Sequence, residues 1–244
     1  MQDQDVINGL KGLVIDAVNK ANSGHPGGPM SSMDMSYILF TEYLNFDPDD
    51  PDWQGRDRFI LSAGHMSMLL YSLLHGVGWL SLDDLKSFRQ LHSKTPGHPE
   101  NFMTQGVECT TGPLGQGAAM SVGFALAAEH LQAKMGPLFV NKTYALVSDG
   151  DLQEGVALGA ASLAGHLGLE RLCWLYDAND IQLSGPTKDA VSDNTAQMFQ
   201  GMGWQVAEID GHDHKAIRGA LDTFQKATKP TLIIAKTVMG KGTH

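Results

Sequence analysis

Residues 143–185 constrain the fold more than any other stretch. An apolar run, Tyr144-Ala145-Leu146-Val147, stops abruptly at Ser148-Asp149-Gly150-Asp151. A helix-period segment follows, with Leu158, Ala161, Leu163, Ala164 and Leu167 as its expected apolar stripe. A second apolar run over 172–176 stops at Asp177-Ala178-Asn179. This predicts a strand–helix–strand unit with an oxygen-bearing side chain just past the end of each strand. In open parallel sheets, ligands bind outside the carboxyl ends of the strands.

Asp149 and Asn179 supply a carboxylate and an amide oxygen, hard ligands that suit Mg2+ or Ca2+ and not zinc. Magnesium takes one or two protein carboxylates and completes its shell with phosphate oxygens and water. The N–H groups opening the helix after Asp149 favour an anion. The residues therefore point to a metal-clamped phosphate at a sheet edge. A lone Asp-Gly is far more often a plain turn, and Asn179 by itself a loop residue; their pairing across one unit favours the site.

The other segments extend the same pattern. Strands are expected near 58–62, 143–148, 171–177, 204–209 and 231–236, alternating with helices, which argues an α/β fold whose parallel sheet is covered by helices on both faces. A first amphipathic helix carries Val6, Leu10, Leu13, Val14, Ala17 and Val18 and ends near Ala21; a second spans about 31–43. Ser81 is placed as an N-cap. Residues 92–112 lack periodicity, and long irregular loops in compact domains are usually functional. His212 and His214 invite a metal reading, but helix capping and surface exposure are the stronger expectation.

At 244 residues and 42% hydrophobic content, a single large α/β domain with a substantial core is expected over 1–244. A net charge of −10 argues against a nucleic-acid partner. The two cysteines, Cys109 and Cys173, indicate no disulfide framework, and a reducing cytoplasm is the default. The polar, acidic N-terminus does not read as a signal peptide, and no apolar run reaches membrane-spanning length.

Four loops join the metal-like motif: Ser23-Gly24-His25-Pro26-Gly27, Ser62-Ala63-Gly64-His65, Pro96-Gly97-His98-Pro99-Glu100 and Gly112-Pro113-Leu114-Gly115-Gln116-Gly117. Together with Asp149-Gly150, Glu154-Gly155, Asn179 and Ile181, this ordered set resembles the transketolase family, and Asp210-Gly211-His212-Asp213 and Lys229-Pro230-Thr231 extend the likeness along nearly the whole chain. The resemblance implies the thiamine diphosphate-binding fold of that family's pyrophosphate-binding domain. It implies that Asp149, Asn179 and the backbone oxygen of Ile181 hold Mg2+ or Ca2+ on the cofactor's diphosphate beside Gly150. It also implies that His25 and His98 contact sugar hydroxyls, that His65 lies by the diphosphate and the reacting carbon, and that Gly112, Pro113 and Leu114 touch the aminopyrimidine side. Glu154 would join a carboxylate network between two cofactors.

Three positions depart from the family pattern, besides Ser148 where a glycine usually opens the motif. Gly159 replaces a usual glutamate, which bears on the carboxylate network. Asp151 adds negative charge by the diphosphate position, either as a helix cap or at the expense of phosphate binding. Thr243-His244 stand where the family's next loop brings a further histidine to the cofactor. No segment matches the pyrimidine-binding domain, so the expected partner is a C-terminal transketolase subunit carrying it, in a heterotetramer acting on sugar phosphates. The competing readings are a sister thiamine enzyme of deoxyxylulose-phosphate synthase or 2-oxoacid dehydrogenase type, and a noncatalytic paralogue.

Overall fold

A computed structural model describes residues 2–183 and 185–243. Its centre is a five-stranded parallel sheet of β1 (Arg58–Leu61), β2 (Thr143–Ser148), β3 (Leu172–Ala178), β6 (Gln205–Asp210) and β7 (Thr231–Lys236), in the order β1-β2-β3-β7-β6. A small antiparallel ribbon, β4 (Ile181–Gln182) and β5 (Gly185–Pro186), projects after β3. The helices are α1 (Asp3–Ala21), α2 (Gly27–Ile38), α3 (Ser67–Val77), α4 (Leu82–Lys86), α5 (Gln116–Met135), α6 (Asp149–Gln153), α7 (Gly155–Leu167), α8 (Thr195–Gly201) and α9 (His214–Phe224).

Alternation along the strands divides the core in two. Tyr144, Leu146, Cys173, Leu175 and Ile233 face α1, α2, α3 and α9, while Ala145, Val147, Trp174, Leu232 and Ile234 face α5, α7 and α8. A sheet buried on both faces reads as continuous apolar runs, which is why those runs were visible in the sequence. On the second face Phe199 meets Trp174 and Trp204 edge to face while the two indoles are tilted against each other, and both indole N–H groups are satisfied, by Ser121 Oγ and the Ala161 carbonyl, each at 2.8 Å.

The chain advances β1, β2, β3 across the sheet, then passes to the far edge and returns through β6 to β7. The strand order therefore reverses between β3 and β7, the kind of place where open α/β sheets bind ligands.

Three expectations are corrected. Of the expected α7 stripe, Ala161 and Ala164 are buried and Leu158 is half-buried against the core, with Ala157 beside them, but Leu163 and Leu167 are exposed. Leu167 lies at helical spacing from both Ala164 and Leu163, so periodicity could not exclude it; the small residues are the ones packed between α5 and the sheet. A Cβ built on Gly165 would lie 1.7 Å from the Met202 carbonyl oxygen. Next, α2 begins at Gly27, not near 31, because a proline in the first helical turn has no intrahelical N–H bond to lose. Finally, His212 and His214 turn inward. Their ring nitrogens lie 3.5 and 3.1 Å from the buried carboxylate of Asp34, which Lys11 also contacts at 3.0 Å. Asp213 caps α9 instead, accepting from the Lys215 and Ala216 N–H groups. The Ser81 cap is found as expected, accepting the Asp84 N–H at 3.1 Å.

Candidate cofactor site

Four loops converge at the carboxyl ends of β1, β2 and β3, and glycine is what lets them touch. A Cβ on Gly64 would meet the Gly112 backbone nitrogen at 2.7 Å, and one on Gly117 would meet Ser62 Cα at 2.5 Å. Gly115, at φ +79°, passes so close to Glu154 that a Cβ would meet Glu154 Cβ at 2.6 Å. Leu114 lies over Gly150, and the ring of His98 lies against Gly112.

His25, His65 and His98, far apart in sequence, share this mouth. The rings of His25 and His65 meet edge to face with centroids 5.4 Å apart. Burial lowers the pKa of all three below the ordinary histidine value. The guanidinium of Arg89 lowers His25 and His98 further, and mutual repulsion adds to the effect at His25 and His65. All three are thereby biased to the neutral form, in which one ring nitrogen accepts a hydrogen bond and the other donates. Arg89 is a member of this mouth that motif reading did not single out; it donates to Ser23 Oγ at 2.7 Å, across to the His25 loop.

Asp149 opens α6 at the end of β2 and is 4% exposed. Tyr176 donates to its Oδ1 at 2.6 Å, while Oδ2 is buried without a hydrogen-bond partner among the described residues. Burial raises its pKa, with Asp177 and Asp180 adding repulsion against the Tyr176 bond. Beside it opens a cavity of about 420 Å³, lined by Asp149, Gln153, Tyr176, Asp180, Thr187 and Lys188 among others. Asn179 follows β3; its Oδ1 accepts the Ile181 N–H at 3.0 Å, in a turn made possible by Asp180 at φ +60°. An orphaned carboxylate oxygen at the end of β2, an amide oxygen past the end of the neighbouring β3 and an excess of acidic groups are donors of the kind that suits a hard divalent cation.

Asp151 is fully buried and binds within the protein. Its Oδ1 accepts from Ser62 Oγ and the Gly115 N–H, both at 2.7 Å, and its Oδ2 from the Ser148 N–H and Oγ, both at 2.9 Å. Ser62 Oγ in turn accepts the Ala118 N–H at 2.8 Å. One carboxylate thus joins the ends of β1 and β2 to the start of α5, and the cap expectation is the one the geometry supports. Glu154, by contrast, is exposed at the N-cap of α7, and Gly159 within that helix is exposed too, with nothing within 4 Å of a built Cβ. His244 lies outside the described residues.

The family model for the transketolase thiamine diphosphate binding domain matches residues 2–244. The chain belongs to the transketolase family. It is 54% identical over 243 residues to the transketolase of Geobacillus stearothermophilus, covering 97% of this chain and 36% of that one. The Staphylococcus aureus (strain MW2) transketolase is 52% identical over 246 residues, covering 99% and 37%. The crystal structure of the Campylobacter jejuni transketolase superposes with a TM-score of 0.97 at 49% identity, over 99% of this chain and 39% of that one. The Leishmania mexicana enzyme gives 0.97 at 44% identity, over 99% and 37%. The chain therefore spans little more than a third of the transketolases it matches, and is homologous to their N-terminal, thiamine diphosphate-binding part. Among the described residues no helix is long and apolar enough to cross a membrane.

Proposed function

We propose that this chain binds thiamine diphosphate through Mg2+ or Ca2+ held by Asp149, Asn179 and the Ile181 carbonyl oxygen, and serves as the N-terminal part of a transketolase that moves a two-carbon ketol unit between sugar phosphates. The observation that carries the metal assignment is the buried, unpartnered Oδ2 of Asp149 at the end of β2, with Asn179 just past the end of the neighbouring β3. When bound, the cofactor supplies a carbanion and an electron sink for cleaving and forming carbon–carbon bonds.

The chain's own residues bind, orient and move protons. His25 and His98, at the mouth and held neutral, accept from or donate to sugar hydroxyls without setting a fixed charge there. His65, deeper and more enclosed, stands nearest the junction of the glycine loops and is suited to passing a proton at the reacting carbon. Gly112, Pro113 and Leu114 offer backbone and apolar surface to a flat ring, and Gly150 with the opening of α6 offers N–H groups to the diphosphate.

A second polypeptide segment carrying the pyrimidine-binding domain completes the site in this reading, and a heterotetramer in the cytoplasm is the expected assembly. Val156, Leu163 and Leu167 on the outer side of α7 and Leu126 on α5 are exposed apolar groups, consistent with a partner surface. The test is the thiamine diphosphate content of the purified complex, read as thiochrome fluorescence. The unchanged protein should retain cofactor in stoichiometric amount, and Asp149→Ala should lose it while its circular dichroism stays native. Full cofactor content in that variant would refute the metal assignment. A donor screen of ketose phosphates against pyruvate separates transketolase chemistry from that of the sister thiamine enzymes.

A further inference from the structure

Asp177 is fully buried near the end of β3, and no cationic side chain pairs with it among the described residues. Its carboxylate is held by three uncharged donors from three parts of the fold. Thr237 Oγ1, just past β7, donates to Oδ1; Ser31 Oγ in α2 and Asn179 Nδ2 donate to Oδ2 at 2.7 and 2.8 Å. Burying a carboxylate without a countercharge is costly, and a neutral side chain of the same shape would fill the space at less expense. The position thus calls for a reason other than packing.

That reason lies in Asn179. A carboxylate only accepts hydrogen bonds, so the side of the Asn179 amide facing Asp177 must be its NH2. The amide oxygen is consequently turned the other way, into the turn with Asp180 and Ile181, where it accepts the Ile181 N–H at 3.0 Å. We propose that Asp177 is a positioning residue for the divalent-cation site: together with the Ile181 N–H it locks the flip of the Asn179 amide so that oxygen, not NH2, is presented to the cation. Through Ser31 it also ties that ligand to α2, which begins two residues after His25, and through Thr237 to the exit of β7. The inference rests on the reading of Asp149, Asn179 and Ile181 as cation ligands.

An asparagine at 177 keeps the volume but can offer either NH2 or oxygen to its neighbours. The Ser31 and Thr237 hydroxyls can rotate to suit it, so the fold should survive. The Asn179 amide then keeps only the Ile181 N–H to hold its oxygen outward, and is less firmly held in the orientation that presents oxygen to the cation. Outer-shell partners of metal ligands typically contribute about 10–100-fold to metal affinity.

The test is a titration of the full chain with Mn2+ alone, following loss of the free-ion electron paramagnetic resonance signal. Asp177→Asn should weaken Mn2+ binding by at least about 10-fold, with a thermal midpoint in the absence of metal close to that of the unchanged chain. Raising the Mn2+ concentration should restore full occupancy. A weakened variant that never fills at high Mn2+ would indicate a damaged site and not a misoriented ligand, and would overturn the inference. Ser31→Ala and Thr237→Val, which each remove one of the other bonds to the carboxylate, should shift the affinity in the same direction by less. They stand in for Asp177→Asn if that variant fails to fold. Equal Mn2+ affinity in the unchanged chain and in the folded variants would refute the role of Asp177 alone. Failure of the unchanged chain to take up Mn2+ would refute the cation site itself, and the inference with it.

Discussion

Replacing Asp151 by Asn should destabilise the protein by about 3 kcal/mol, although the two side chains have nearly the same shape. The carboxylate receives four hydrogen bonds, two on each oxygen. An amide keeps one acceptor and turns the other into a donor. If NH2 takes the Oδ1 place it faces the fixed N–H of Gly115; if it takes the Oδ2 place it faces the fixed N–H of Ser148. The serine hydroxyls can rotate, but a backbone N–H cannot. In either orientation one buried N–H loses its partner, at about 1–3 kcal/mol. The remaining bonds lose their charge assistance, and roughly half their strength, since ionic hydrogen bonds are about twice as strong as neutral ones. Relief of carboxylate desolvation offsets part of this. For a chain of this length, about 3 kcal/mol corresponds to a fall in Tm of roughly 6–12 °C. The assay is thermal unfolding followed by circular dichroism, with hydrogen exchange at the Gly115 and Ser148 amides as the local readout. A Tm within about 2 °C of the unchanged protein would refute the account of Asp151 as the carboxylate that binds these loops together.

Gly165→Ala should cost more than about 3 kcal/mol, because the added methyl meets the rigid Met202 carbonyl and not a movable side chain, and overpacking by one methylene already costs 1–3. Urea unfolding checks this, and a loss below 1 kcal/mol would show that α7 and α8 separate easily. In an NMR titration the His25, His65 and His98 rings should all protonate below the ordinary histidine pKa of about 6.5. Arg89→Gln should raise His25 and His98 while leaving His65 nearly unmoved, since Arg89 acts on the first two only. The folded pKa values lie below the unfolded one, so each ring's contribution to stability is full above about pH 6.5 and declines as the pH falls from there to the folded pKa. Arg89→Gln should therefore lessen this part of the acid sensitivity. Unmoved His25 and His98 resonances would show that Arg89 does not govern the mouth. At Asp34, burial alone would raise the carboxyl pKa, but His212, His214 and Lys11 outweigh it and hold the group well below the usual carboxylate range. Its stabilising contribution is present above about pH 4 and is lost on further acidification. A chain with Asp34→Asn should accordingly show a smaller fall in stability below that pH, and an unchanged acid limb would refute the assignment.

The parallel sheet and the strand ends that bear Asp149 and Asn179 were legible in the sequence because both are written locally. A strand buried on two faces must be apolar throughout, and a ligand-bearing turn must break that run with polar and glycine residues. The four loops with His25, His65, His98 and Gly112 were legible as an ordered set for the same reason: each is short, glycine-rich and fixed in its own conformation. Membership in the transketolase family followed from that order and holds across the whole chain.

Tertiary structure alone decided how wide a stripe α7 buries. It kept the expected Ala161 and Ala164 against the sheet and left Leu163 and Leu167 open, because the limit is set by what packs on the helix and not by period. It also decided the charged residues. Asp151, Asp177 and Asp34 look alike in the chain, as acids beside turns or in a helix. Yet one gathers serine and backbone donors, one orients an amide, and one collects a lysine and two histidines. Their partners come from up to 180 residues away. No local pattern encodes such pairings; they exist only once the sheet has brought its strand ends together and burial has made each unpaired oxygen costly.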